Sequence, residues 1–254
     1  MSALASLQEK LKKRELILGT GISNITFSGV LQQYRTTDLD FVLFDCEHGT
    51  LNDIAIEEML RTCRLIDLPS IVRIPGHHPV FVSRPLDMGA DGIMAPRVDT
   101  LEQLDEVVRQ FRFPPRGVKG SGGFSQVRKG EKITEVNDNR ILCVQIESQQ
   151  AAGNLDAMLR KHIEEIGFIL IGPFDLALDV GTPGNVQSDE ELKVIDFIAE
   201  TCAKHNVSLG IFCSNKELME FWKARGINLF WVTSEISLLM TELRRVVDTF
   251  KALK

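Results

Sequence analysis

The sequence predicts an α/β fold, a closed (β/α)8 TIM-type barrel of eight parallel strands alternating with helices. Three observations predict it. Short apolar runs rich in Ile, Val, Leu and Phe recur along the whole chain. Longer amphipathic stretches with helix-start signals separate them. The length of 254 residues suits one such domain spanning 1–254, since barrels of this kind typically run to about 250.

The runs are LILGTGIS (16–23), FVLFDCE (41–47), SIVRIP (70–75), GIMAPRV (92–98), ILCVQIE (141–147), FILIG (168–172), SLGIFC (208–213) and LFWVTS (229–234). Their brevity and continuous apolar character fit strands covered on both faces. Thr100 and Gln103 form a capping-box pattern ahead of Leu101, Leu104, Val107, Val108 and Phe111. Ser188 with Glu191, and Ser214 with Glu217, repeat it before further helical stripes. In each box the hydroxyl accepts from a free backbone N–H and the Glu or Gln reaches back. Ile236, Leu239, Met240, Leu243, Val247 and Phe250 recur at helical spacing in 234–254. The competing open, doubly wound sheet would usually carry a glycine-rich nucleotide turn after its first strand, and GTGISN is not one. The long segment 113–139, with PPRGVKGSGGFSQVRKG, is expected on the same barrel face as the strand-to-helix loops, as an active-site wall or a flexible surface loop.

Composition excludes several classes. A net charge of −6 without a Lys/Arg cluster interleaved with aromatics argues against nucleic acid as a partner. No apolar run approaches a membrane span, and the charged N-terminus lacks the continuous apolar stretch of a signal peptide. Five scattered cysteines without a CxxC pair suit a reducing cytoplasm. No GxSxG elbow marks a serine hydrolase, and none of the eight runs holds a lysine for Schiff-base chemistry.

Catalytic groups in such a barrel sit where strands end. Asp45, Glu47 and His48 end the second run, Arg73 lies in the third, Glu147 ends the fifth, and Pro173, Phe174 and Asp175 follow the sixth. Charged side chains there are costly unless paired or bound to a metal or anion. Glu147 and Asp175, without neighbouring Cys or His, suit a hard ion such as Mg²⁺ or Mn²⁺. Arg73 offers a planar fork to a carboxylate. An imidazole moves protons near neutral pH, which makes His48 a candidate base or else a helix-start histidine. His77, His78, His162 and His205 read as structural.

The motifs FDCEHG (44–49), VRIP (72–75), LDMGADGIMAP (86–96), QIE (145–147), GPFDL (172–176) and GTPGN (181–185) resemble the HpcH/HpaI family of metal-dependent, class II pyruvate aldolases. That resemblance runs from about Gly19 to the last helix and implies a barrel of the phosphoenolpyruvate/pyruvate-binding type. It implies that Glu147 and Asp175 are the protein ligands of a divalent ion, Mg²⁺ or Mn²⁺, with Co²⁺ a further option. Arg73 would hold the keto oxygen and stabilise an enolate, and His48, oriented by Asp87, would be the general base. Asp45 and Glu47 would hold metal-bound waters, while the backbone across Gly172, Pro173, Phe174 and Asp175 would face the substrate carboxylate. The partners implied are a small 2-keto acid and an aldehyde. A homo-oligomer is implied too, a trimer of dimers, in which the C-terminal helix covers a neighbour. Citrate- or malyl-type lyases and oxaloacetate decarboxylation share the enolate and remain alternatives, and a non-catalytic ligand-binding barrel is the reading from another class. The chain departs from the family at Gly19, Thr20, Gly21 and Ile22, where many members carry an aromatic, and at Lys119 and Phe124 to Arg128. The aldehyde is expected to meet Thr20 to Ser23, Lys119 to Arg128, and Cys213 with Ser214, so its identity stays open.

Overall fold

Eight strands pair in parallel, each with the next in sequence, and the eighth closes on the first. The computed structural model describes residues 1–253, in the order α1 (Ala3–Lys13), β1 (Ile17–Ile22), α2 (Gly29–Tyr34), β2 (Phe41–Asp45), α3 (Asp53–Leu65), β3 (Ser70–Arg73), α4 (Pro79–Met88), β4 (Gly92–Ala95) and α5 (Leu101–Phe111). There follow α6 (Val136–Asn139), β5 (Ile141–Ile146), α7 (Gln149–His162), β6 (Phe168–Ile171), α8 (Pro173–Asp179), α9 (Asp189–Lys204), β7 (Ser208–Phe212), α10 (Lys216–Lys223), β8 (Leu229–Ser234) and α11 (Glu235–Lys251). All eight apolar runs become strands, seven of them shorter than the run by one to three residues and the eighth, Leu229–Ser234, at full length.

The period-2 alternation of strands divides each run between the barrel axis and the helix layer. Phe41, Leu43, Ile71, Met94, Cys143, Phe168, Leu170 and Leu229 form one buried cluster with Leu4, Leu7 and Leu11 of α1. The apolar face of α1 therefore plugs the N-terminal end of the barrel. Alternate strand residues such as Val144, Ile146, Ile169 and Ile211 pack outward against α5, α7 and α9. Continuing the inward alternation toward the C-terminal ends brings Asp45, Arg73, Gln145 and Glu147, all buried. The interior thus changes from apolar to ionic along its axis, and that places the site.

The caps follow the sequence signals unevenly. Thr100 and Gln103 form the complete capping box on α5. Ser188 caps α9, but Glu191 does not reach back, and neither of its buried carboxylate oxygens has a partner. Asn215 rather than Ser214 caps α10, accepting from the Leu218 N–H.

The long segment after α5, residues 113–139, is on the opposite face from the one expected of it. It joins the end of a helix to the start of β5, so it lies at the N-terminal end of the barrel. Arg128 clamps it there with two hydrogen bonds (2.8 and 2.6 Å) to Asp91, which precedes β4. Lys119 to Arg128 are therefore far from the strand C-termini of their own chain.

Candidate active site

Four strands converge their polar C-terminal residues. Asp45 and Arg73 are register partners on β2 and β3, and their side chains form a two-pronged pair, Nε to Oδ1 at 2.9 Å and Nη2 to Oδ2 at 2.5 Å. Both are buried. Burial alone would raise the Asp45 carboxyl, but the guanidinium and the His48 and Glu47 backbone N–H groups hold it below the usual carboxylate range. Burial likewise works against the Arg73 charge, and the Asp45, Glu47 and Glu147 carboxylates outweigh it, so Arg73 is held above its ordinary value. The third guanidinium nitrogen, Nη1, faces Glu47 Oε2 at 3.4 Å. Arg73 also lies over the Trp231 ring, 5.4 Å from its centroid, a cation–π contact that fixes the plane of the fork.

Glu147 follows β5 and accepts the Arg97 backbone N–H (2.7 Å) and the Gln145 amide (2.7 Å). Burial, together with the negative charge of Asp175 and Glu47, pushes it up to about 7. Gly172 leaves room beside it: a Cβ there would stand 2.6 Å from Glu147 Oε2, so the carboxylate would have to shift. Asp175 sits in the first turn of α8 behind Pro173, half-exposed. Glu47 leaves Oε2 buried without a hydrogen bond, and the exposed His48 approaches that oxygen at 3.8 Å.

This set fits a divalent cation. Glu47, Glu147 and Asp175 crowd negative charge into one place, one oxygen is orphaned, and one carboxyl is driven toward its neutral form. A hard cation relieves all three conditions, and oxygen donors are what such an ion prefers. Among the described residues no three His, Cys, Asp or Glu side chains enclose an ion unaided.

Asp87 does not join His48 within the chain. It lies in the last turn of α4, at the N-terminal end of the barrel, paired with buried Lys119 (2.5 Å). Since α4 runs antiparallel to the strands, residues near its end cannot reach the strand C-termini. His162 and His205 pair with Asp105 and Asp156 on the helix layer (2.6 and 2.8 Å), and His78 caps α4.

Three contributors escaped the sequence reading: Arg97, Gln145, and the two rings, Phe212 and Trp231, that extend Phe174 into an aromatic wall. Phe174, Phe212 and Trp231 succeed one another at 5.8 and 5.9 Å between ring centroids. Trp231 occupies the volume that a side chain on Gly21 would fill, since a Cβ there would meet the indole at 2.7 Å. The aromatic missing from the first strand is thus supplied by the eighth. The inward alternation of LFWVTS carried that signal; the cross-strand contact did not show.

A closed (β/α)8 barrel whose buried carboxylates and arginine gather at the strand C-termini defines the enzyme class of this fold. The sequence model for HpcH/HpaI aldolase/citrate lyase matches residues 27–240. The chain is 30% identical over 220 residues to 5-keto-4-deoxy-D-glucarate aldolase of Shigella dysenteriae serotype 1 (strain Sd197), covering 84% of each chain. It is 29% identical over 261 aligned residues to 2-keto-3-deoxy-L-rhamnonate aldolase of Escherichia coli O9:H4 (strain HS), covering 99% of this chain and 96% of the relative. Among solved structures, an HpcH/HpaI aldolase from Desulfitobacterium hafniense DCB-2 superposes with a TM-score of 0.87 at 27% identity, over 96% of both chains. The chain belongs to the HpcH/HpaI aldolase/citrate lyase family.

Proposed function

We propose that this protein is a divalent-metal-dependent carbon–carbon lyase that joins the enolate of pyruvate, or a close 2-keto acid, to an aldehyde and cleaves the corresponding 4-hydroxy-2-oxo or 2-keto-3-deoxy acid. The observation that carries the reading is the meeting of Glu47, Glu147 and Asp175 with the Arg73–Asp45 pair at the ends of β2, β3, β5 and β6. The relatives named for 2-keto-3-deoxy and keto-deoxy sugar acids support it.

Glu147 and Asp175 would hold the ion, Mg²⁺, Mn²⁺ or Co²⁺. When bound, it supplies a Lewis acid that draws charge from the keto oxygen of the substrate. Arg73 adds a second positive group, rigid because Asp45 takes two of its nitrogens and Trp231 supports its face. Its remaining nitrogen points toward the same ionic cluster and donates to oxygen as negative charge develops there. The first N–H groups of α8, at Phe174 and Asp175, have no partner within the helix and receive the substrate carboxylate, while Pro173 has no N–H to offer. His48, exposed at the mouth beside Glu47, takes the proton from the methyl carbon and delivers it to the new alkoxide in the joining direction, and in cleavage it takes the 4-hydroxyl proton and gives it to the enolate carbon. Asp87 can reach a His48 only in another copy of the chain.

The same reading includes a homo-oligomer in the cytoplasm, a trimer of dimers. Helix α11 buries only Glu235, while Leu238, Leu239, Leu243 and Phe250 are about half or more exposed, an apolar stripe that a second copy would cover. All five cysteines are free, and four are buried. No helix among the described residues is long and apolar enough to cross a membrane.

Exchange of pyruvate methyl protons in D₂O tests the chemistry directly. Exchange is expected with Mn²⁺ and is expected to stop in EDTA. If the Mn²⁺-loaded protein exchanges nothing, alone or with aldehydes present, the enolate mechanism is wrong.

A further inference from the structure

Four non-glycine residues among the described positions have positive φ: Arg14, Asp67, Arg97 and Asn206. Arg14 caps α1, and Asp67 and Asn206 stand two residues beyond α3 and α9, where a left-handed residue ordinarily ends a helix. Arg97, with φ of 51°, follows a strand instead. No helix end accounts for it, and a residue with a Cβ adopts this conformation at a cost of about 1–2 kcal/mol. Unexplained strain of this kind concentrates at functional sites.

The left-handed turn does two things at once. It points the Arg97 backbone N–H at Glu147 Oε1 (2.7 Å). It also carries the side chain to the mouth of the barrel, with Nε 3.4 Å from Glu47 Oε1 and Nη2 3.7 Å from Asp175 Oδ1. Those separations are too long for good hydrogen bonds. The contrast with the other arginine of the site is sharp: Arg73 is buried and already commits two nitrogens to Asp45. The Arg97 side chain is 61% exposed, donates no hydrogen bond among the described residues and stacks on no ring. Its fork is held beside the reacting centre only by these two long ion pairs, with Glu47 and Asp175.

We propose that Arg97 is a specificity-determining residue that binds an anionic group, carboxylate or phosphate, carried by the electrophile. This rests on the enolate reading, in which the carboxylate of the 2-keto acid is already held at α8. The anion left for Arg97 is therefore on the aldehyde. Without Arg97, Glu47, Glu147 and Asp175 would repel a second anion entering the mouth. With it, a planar fork can receive two oxygens.

The test uses the Mn²⁺-loaded protein with pyruvate and three two-carbon aldehydes: neutral glycolaldehyde, glyoxylate and glycolaldehyde phosphate. The parent is expected to favour one of the anionic aldehydes over glycolaldehyde in kcat/KM by about tenfold or more, the scale of a charge-assisted hydrogen-bonded contact. Whichever is favoured distinguishes a carboxylate from a phosphate site. In Arg97→Gln that ratio should collapse toward one, and in Arg97→Lys it should be partly kept. The ratio is taken within each variant, so a loss of folded protein cancels. Calorimetric titration with 3-hydroxypropanoate, an unreactive acid, should lose its signal in Arg97→Gln if the site takes carboxylates. A parent without preference, or an Arg97→Gln variant with the parental ratio, overturns the assignment. If pyruvate exchange without aldehyde persists in the parent, either result leaves the enolate reading standing. Absence of that exchange overturns both.

Discussion

Glu147 should make the metal-free protein less stable as pH rises, and replacing it with Gln should reverse that trend. In the unfolded chain its carboxyl ionises near the ordinary value of 4.5, whereas burial beside Asp175 and Glu47 pushes the folded value up to about 7. Between these values the folded chain keeps a proton that the unfolded chain has lost. Stability from this group is therefore intact below pH 4.5, falls through the window and levels off above 7. At about 1.4 kcal/mol per pH unit, the span from 4.5 to about 7 amounts to about 3 kcal/mol, a substantial part of the roughly 5–15 kcal/mol that holds a typical domain together. Glu147→Gln has no proton to lose. It forfeits part of the pairing with the Arg97 N–H and the Gln145 amide, but that cost is the same at every pH. The quantity to measure is the difference in unfolding free energy between variant and parent, from urea titrations in EDTA at pH 4.5, 6, 7 and 8. The variant should gain about 3 kcal/mol on the parent across the series. Mn²⁺ should then stabilise the parent at pH 8 and leave the variant unmoved. A difference that stays flat from pH 4.5 to 8 would refute the electrostatic account of the site.

Arg73→Ala should lower kcat/KM by about a hundredfold or more, the usual effect of losing one contact to developing charge. Arg73→Lys should recover little, because an ammonium cannot satisfy both Asp45 oxygens and the substrate; near-parental rates in steady-state assays would remove Arg73 from the mechanism. Glu191, buried without a partner for either oxygen and pushed up to about 7 by burial, should behave as Glu147 does but without metal. Glu191→Gln should therefore stabilise by up to about 3 kcal/mol at pH 8 and by nothing from this cause below pH 4.5, and a pH-independent effect in denaturant titrations would contradict that. Charges on the exposed stripe of α11, as in Leu239→Glu with Leu243→Glu, should dissociate the assembly; light scattering that shows the parental mass at micromolar concentration would count against α11 as the interface.

How far the sequence revealed this molecule depends on the range of each interaction. Strands announce themselves through continuous apolar runs, and all eight were legible because burial on both faces leaves no alternative composition. Asp45, Arg73, Glu147 and Asp175 were legible for the complementary reason: a charge at the end of such a run is costly unless it is paired or bound to an ion. The capping box at Thr100 formed as read, while the one at Ser188 did not close. The Ser-x-x-Glu pattern describes only the helix's own first turn, and tertiary packing buried the Glu191 side chain instead.

The failures share a cause. The length and irregularity of segment 113–139 suggest the catalytic face, yet in an alternating barrel the face of a loop is set by parity: a connection that leaves a helix arrives at the start of a strand. The run that precedes 113–139 is helical, so the segment had to lie at the N-terminal end, and Asp87, in the last turn of α4, had to lie there with it. Composition describes what a loop can do, and only element order says where. Contacts across strands were beyond either signal. Gly21 stands where many family members carry an aromatic, but that Trp231 fills its volume follows from β8 lying beside β1 in a closed sheet. Arg97 is the sharpest case. In GIMAPRV it reads as an ordinary charge after a strand, and only the sign of one backbone angle turns its N–H toward Glu147 and its guanidinium toward Glu47 and Asp175. The ionic centre, where the chemistry is general, was therefore readable from residue type and position. Its rim, where a second substrate is chosen, is built from backbone conformation and packing between distant strands.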